Sequence, residues 1–230
     1  MVNCVGDVCE NYFPHALTYE KLYLLDSASE DIMCVMYNIF DFLDKVRSTG
    51  GRALVHCQQG VSRSTILCIA YLMYVQNADY DEIYTLVRSK RGICRPNVGF
   101  MCQLLAWRKR CTGTSPRPYC LYRVAPHCSR DRTLVCKWVD RVDASTLDIR
   151  TIFILHTSQY MYIWIGKLVP YEIEQDYLQQ AQALIANLQR YEYAPNEIVI
   201  LRQIEELETI AREAYVTTAN DEPMTPCSTS

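Results

Sequence analysis

The stretch Val55-His56-Cys57-Gln58-Gln59-Gly60-Val61-Ser62-Arg63-Ser64 decides how this 230-residue chain is read. It lies between a brief apolar run, Ala53 to Val55, expected as a buried strand, and a helical pattern from Ser64 to about Val75. A strand-to-helix turn with an internal glycine can curl its backbone N–H groups inward at the positive end of the helix, making an anion nest. Such a nest, here Gln58, Gln59, Gly60, Val61 and Ser62, holds a phosphate dianion. It also stabilises a thiolate, so Cys57 is expected to titrate well below a free cysteine and to be nucleophilic near neutral pH. Arg63 can offer two parallel N–H groups to phosphate oxygens. Ser64 can donate to the Cys57 sulfur and ease its departure when a phosphoenzyme breaks down. The plainer alternative is a buried strand-end cysteine beside a solvated arginine. Cys57 alone would favour it; His56, Cys57, Gly60, Ser62, Arg63 and Ser64 together at this spacing favour the anion site.

Outward from this loop, the chain up to Cys111 reads as strands alternating with helices, which argues for an α/β sheet with helices packed on it. Val2 to Val5 and Lys21 to Leu25 are short apolar strands, the second ending at Asp26. Ser29-Glu30-Asp31 reads as a helix start. Ile32, Val35, Met36, Ile39, Phe40, Leu43 and Val46 then repeat at helical spacing as far as Gly50-Gly51. Further helices carry Ile83, Leu86 and Val87, then Met101, Leu104 and Leu105, with Arg95-Pro96-Asn97 as punctuation between them. Residues 112–118 (TGTSPRP) have the composition of a linker, and a second block covers 119–212. Its centre is a pair of apolar strands, Thr151 to Leu155 and Met161 to Ile165, followed by a helix from Glu172 to Tyr191 and a strand from Glu197 to Leu201. The Thr/Ser/Pro-rich residues 213–230 are expected to be a disordered tail. Thr225-Pro226 within it could take a proline-directed phosphate, as could many such pairs in loops.

Composition narrows the classes of partner. A formal net charge of -3 gives no general reason to expect nucleic acid or an anionic membrane. No apolar run approaches the ~18 residues of a membrane helix, and no secretory signal opens the chain. The twelve cysteines are scattered irregularly, mostly in apolar segments, and no paired CxxC framework suggests zinc. Reduced, buried thiols are therefore expected, in a cytoplasmic or nuclear compartment where a reactive thiolate survives.

HCQQGVSRS resembles the HCxxGxSRS signature of dual-specificity phosphatases, and the likeness extends through Ala70-Tyr71-Leu72-Met73 and Pro96-Asn97-Val98-Gly99-Phe100. The whole first block, 1–111, resembles that catalytic domain, most closely in plant-type MAP kinase phosphatases with a gelsolin-like segment after it. The resemblance implies a metal-independent enzyme without cofactor. In it, Cys57 attacks phosphorus, an aspartate on a separate loop protonates the leaving oxygen, and water hydrolyses the phosphocysteine. Asp26, in LLDSASEDI, matches that general acid. Glu30 and Asp31 compete for the role, although Asp31 is better placed to cap the following helix. His56 is expected to hydrogen-bond the loop, and Asn97 resembles the family's loop-supporting asparagine; both could equally be packing residues.

Uncharged Gln58, Gln59, Val61 and Ser62 differ from the lysines with which phosphoinositide phosphatases meet ring phosphates. The Trp-Pro-Asp of tyrosine-only enzymes is missing too. A protein substrate bearing phosphotyrosine and phosphothreonine, of the MAP-kinase kind, is what the resemblance implies. Arg88, Lys90, Arg91 and Arg95 could meet a second phosphate or form a solvated basic face. Family members carry further strands and a helix before the one matching Val2–Val5, so the resemblance implies a catalytic domain that lacks its first strands. Leu147 to Gly166, ending Tyr-x-Trp-x-Gly, resembles a gelsolin-like domain; any small α/β domain with an aromatic strand is the alternative. With Thr151 where that family places a calcium-binding acid, Glu174 and Asp176 make a poor calcium site. A protein-interaction role follows, with actin as one candidate. Two rivals to the enzyme reading are a phosphoprotein-binding module without catalysis and an actin-binding scaffold.

Overall fold

The computed structural model describes residues 1–114, 119–139 and 147–221. The chain divides into two compact units, residues 1–114 with 126–137 and residues 115–125 with 138–230. Residues 115–118 of the expected linker, and 222–230 with the Thr225-Pro226 pair, lie outside the described residues.

The first unit is built on a three-stranded parallel sheet in the order β2-β1-β3, with β1 at Val2–Asn3, β2 at Glu20–Lys21 and β3 at Val55–His56. The ladder of β1 is shorter than Val2–Val5 because Asn3 turns the chain. Its buried side chain accepts from Val5 N–H at 3.0 Å and donates to the Cys9 carbonyl at 2.8 Å. Beyond β2 the chain stays tied to β1, since Leu22 N–H donates to Asn3 O and Leu24 N–H to Cys4 O. That leads it in extended form towards Asp26.

Four helices cover this sheet: α1 Met33–Ser48, α2 Arg63–Gln76, α3 Tyr80–Lys90 and α4 Val98–Cys111. In α1 the buried residues Val35, Met36, Ile39, Phe40 and Leu43 recur at helical spacing, and Gly50 takes the left-handed conformation (φ 67°) just past its end. Helix α2 is different. Eight of its residues are buried, including the polar Arg63, Ser64 and Thr65 of its first turn, so it is the central helix of the unit. Phe40 stacks on Tyr74 (5.3 Å between centroids) and meets Trp107 edge-on, which locks α1, α2 and α4 together. Burying side chains of this size stabilises by roughly 1.5–3 kcal/mol each. Val2, Leu22, Leu24, Val35, Ile39 and Leu67 form the core beneath the sheet, and Val135 joins the same cluster.

The second unit takes strands from a five-stranded sheet in the order β5-β4-β6-β7-β8, with β4 at Tyr119–Cys128, β5 at Asp131–Val139, β6 at Ile152–Thr157, β7 at Met161–Ile165 and β8 at Ile198–Leu201. Strands β6 and β7 pair antiparallel with Phe153 opposite Trp164. The long helix α5, Tyr171–Glu192, returns the chain so that β8 pairs parallel with β7, as a crossover must. Gly166 ends the aromatic strand at a spot where a Cβ would lie 2.3 Å from the Ile149 carbonyl oxygen, so no side chain fits. The hairpin of β4 and β5 and the final helix α6, Ile204–Asp221, are two elements that the sequence pattern left unassigned. Helix α6 also corrects one expectation, because residues 213–221 of the supposed tail are helical. Ile204, Leu207 and Ala211 supply the helical spacing there, and Leu207 is fully buried.

Candidate active site

Between β3 and α2, residues 57–62 form a tight loop whose interior faces the Cys57 sulfur. Gly60 adopts φ 69°, a left-handed conformation that costs a side-chain-bearing residue dearly, and its N–H points at Cys57 Sγ from 3.3 Å. From the first turn of α2, the Ser64 hydroxyl also donates to Sγ at 3.3 Å. Burial pushes the Cys57 thiol up. Hydrogen bonds from the Ser64 side chain and from the backbone N–H groups of Ser64, Gly60 and Gln59 outweigh it and bring the thiol down to about 7. Two neighbouring thiols go the other way: burial, reinforced by charge repulsion from Cys57, pushes Cys4 well up and Cys68 up to about 11. Of these three, only Cys57 is partly a thiolate near neutral pH.

Arg63 opens α2 with its guanidinium almost buried. Nη1 donates to the Leu24 carbonyl at 3.0 Å, while Nε is buried without a hydrogen-bond partner and lies 3.7 Å from Asp26 Oδ2. A buried, unpartnered donor of a permanent cation is an unmet demand for an anion's oxygen.

Asp26 stands on the loop that leaves β2. Its Oδ1 accepts from the Ser62 hydroxyl at 2.7 Å and from Asn97 Nδ2 at 2.9 Å. Asn97 is busier than sequence reasoning foresaw. Its own N–H donates to Ser62 Oγ at 3.1 Å, and its Oδ1 accepts from Phe100 N–H at 3.0 Å, which caps α4. The two rival acids have other duties. Asp31 Oδ1 accepts from the N–H groups of Met33 and Cys34 at the start of α1, and Glu30 is turned towards Leu25 N–H and His127. The side chain of His56 makes no hydrogen bond among the described residues; its carbonyl accepts from Cys4 N–H across the sheet.

Asp26, Cys57, Gln58, Gln59, Val61, Ser62, Arg63, Arg95 and Asn97 line a pocket of about 360 Å³. Gly60 and Ser64 complete the loop from behind the sulfur. Arg91 leans over Gly60, where a Cβ would meet its Nη2 at 2.7 Å, and Arg95 N–H donates to Val61 O. Arg91 and Arg95 thus border the site. Two side chains that matter here had no sequence signal, Gln103 and His127, because each acts on the acid loop from a distant part of the chain.

The loop, its thiol and its arginine belong to a recognised class. Residues 1–110 match the family described as dual specificity phosphatase, catalytic domain. More particularly, the chain is 40% identical over 210 residues to protein-tyrosine-phosphatase MKP1 of Arabidopsis thaliana, a match that covers 90% of this chain and 26% of that protein. Dual specificity protein phosphatase 1 of Homo sapiens is 35% identical over 123 residues, covering 54% of this chain and 30% of that protein. The chain therefore spans less than a third of the length of these curated relatives. Among solved structures, that of human DUSP28 matches with 26% identity and a TM-score of 0.45, over 50% of this chain and 79% of that one.

Proposed function

We propose that the chain hydrolyses phosphotyrosine and phosphoserine or phosphothreonine on MAP-kinase-like proteins through a phosphocysteine intermediate. The observation that carries this reading is the convergence, in one pocket, of a thiol lowered to about 7, a buried arginine Nε without a hydrogen-bond partner and the Asp26 carboxyl. The substrate phosphate enters the loop, accepting from its backbone N–H groups and from the Nε side of Arg63. Cys57 Sγ attacks phosphorus as the bond to the substrate oxygen breaks. Asp26, protonated, gives its proton to that oxygen, which would otherwise leave as an alkoxide or phenolate. Water then attacks phosphorus and gives a proton back to Asp26. The S–P bond breaks, and Ser64 stabilises the returning thiolate. Asn97 and Ser62 hold the Asp26 carboxyl at the rim throughout. Arg91 and Arg95 suit a substrate with a second phosphate near the first. No step calls on a metal or cofactor.

The second unit fits a gelsolin-like reading and a role in protein interaction. Its support is the antiparallel pair β6–β7 and the close approach at Gly166. The Glu174 carboxylate is held bidentately by Arg202, at 2.6 and 3.0 Å, which leaves it occupied by a cation of the chain itself. Among the described residues no helix is long and apolar enough to cross a membrane. Actin is the partner to test first, by cosedimentation with filaments; failure to pellet removes it.

The decisive assay is phosphate release from a doubly phosphorylated Thr-x-Tyr activation-loop peptide, in reductant and without metal, beside Cys57→Ser and Asp26→Asn. Release that vanishes with Cys57→Ser and falls strongly with Asp26→Asn supports the mechanism. A folded chain that releases none rejects it, and a phosphopeptide-binding module takes its place.

A further inference from the structure

The loop that carries Asp26 is held by a chain of contacts that ends on a residue far along the sequence. Leu25 N–H, immediately before Asp26, donates to Glu30 Oε2 at 3.2 Å. The other oxygen of the same carboxylate, Oε1, lies 2.9 Å from His127 Nε2. His127 is buried, with 5% of its side chain exposed, and Glu30 is largely withdrawn from water, with 13% exposed. His127 belongs to residues 126–137, which are part of the first unit. Its own backbone is anchored, because Lys137 Nζ donates to His127 O at 2.8 Å. Gln103 fixes the backbone of Glu30 from α4, donating to its carbonyl at 2.7 Å.

A carboxylate withdrawn this far from water needs donors on both oxygens, and these are Leu25 N–H and the His127 ring. Without the ring, Glu30 would turn out to water and Leu25 N–H would lose its acceptor. The peptide next to Asp26 would then be free to rotate. We propose that His127 is a positioning residue for the general acid: it fixes Glu30, Glu30 fixes Leu25, and the Asp26 carboxyl is thereby aimed at the leaving-group oxygen. This rests on Asp26 being the general acid, and the test separates the two ideas.

The full chain is assayed on aryl phosphates running from 4-nitrophenyl to unsubstituted phenyl phosphate, and kcat/KM is plotted against leaving-group pKa. A good leaving group departs without a proton; phenol needs one. Asp26→Asn is expected to lose roughly 10²-fold on phenyl phosphate and far less on the nitrophenyl ester. His127→Ala and Glu30→Ala are expected to steepen the same slope by about 10-fold across the series, as a misaimed acid would. The double variant should be no steeper than Glu30→Ala alone. His127→Gln, whose amide N–H replaces the ring donor, should recover most of the loss. Because a slope is a ratio of rates, the amount of folded enzyme cancels. A variant that merely loses thermal stability leaves the slope where it was. A steep slope for Asp26→Asn with an unchanged slope for both His127→Ala and Glu30→Ala overturns the positioning role alone. A flat response to Asp26→Asn overturns the acid assignment, and the positioning role falls with it.

Discussion

The phosphate loop and the acid loop of the first unit face the same pocket but are built on opposite plans. Around the thiol, residues 57–65 hold themselves: Cys57 Sγ takes its hydrogen bonds from Gly60 and Ser64, and the Thr65 hydroxyl donates to the Gly60 carbonyl at 3.3 Å, while Arg95 and Asn97 tie down Val61 and Ser62 from outside. The loop 26–31 is held by others. Asn97, Gly99 and Gln103 of α4 and its cap, with His127, fix it through contacts spanning some 70 residues of sequence or more. A self-made site stores its geometry in a short motif, whereas a borrowed one stores it in the whole fold. The first should therefore survive damage elsewhere that disables the second.

Substitutions can break or sharpen that contrast. The largest effect is expected for Cys57→Ser, which leaves the loop hydrogen bonds standing but removes the nucleophile. Turnover should fall by roughly 10⁴-fold or more while phosphopeptide binding persists, read by single-turnover kinetics and titration calorimetry. Next comes Asp26→Asn, with kcat on the phosphopeptide lowered on the order of 10²-fold and the rate of Cys57 alkylation unchanged, since the thiol does not depend on Asp26 for its donors.

Gly99→Ala strikes the borrowed plan. An added Cβ would stand 2.2 Å from the Ala28 carbonyl oxygen, so α4 and the acid loop must separate. We expect a stability loss of about 1–3 kcal/mol in denaturant titration and a kcat reduced with phenolic substrates but not with nitrophenyl esters. The smallest effect is a shift along the pH axis. The thiolate is the reactive form, so kcat/KM should fall as pH drops through about 7. Ser64→Ala removes a donor that lowers the thiol, so the same limb should move to higher pH, measured by iodoacetamide alkylation against pH.

The same contrast explains what was legible in the sequence. The phosphate loop could be read because the thiol and the groups that donate to it lie within the same ten residues. From the residues alone Asp26 could be read only as the end of a strand; its role as acid and the supporting role of Asn97 came by likeness, and Ser62 was read as part of the nest without its bond to Asp26. Helices α1 and α2 were plain from apolar spacing. The ladders of β1 and β2 proved shorter than their apolar runs because the side chain of Asn3, a tertiary contact, turns the chain. The hairpin of β4 and β5 was missed because its residues serve different neighbours along its length, which blurs the period-two alternation. Nothing local marks His127; a histidine two residues after Ala125 in a strand reads like any other.

One consequence concerns how the molecule comes into being. The first unit is discontinuous along the chain, and Val135 and His127 reach it only after residues 115–125 have been made. A nascent chain that has grown as far as Thr114 already contains every group proposed to touch phosphate, but not the valine of its core or the histidine behind its acid loop. At ribosomal speeds of roughly 5–20 residues per second, that leaves an interval of a second or more in which the nucleophile exists before the machinery that makes it useful. Competence for proton transfer would be conferred only once synthesis has entered the second block, not when the first is complete.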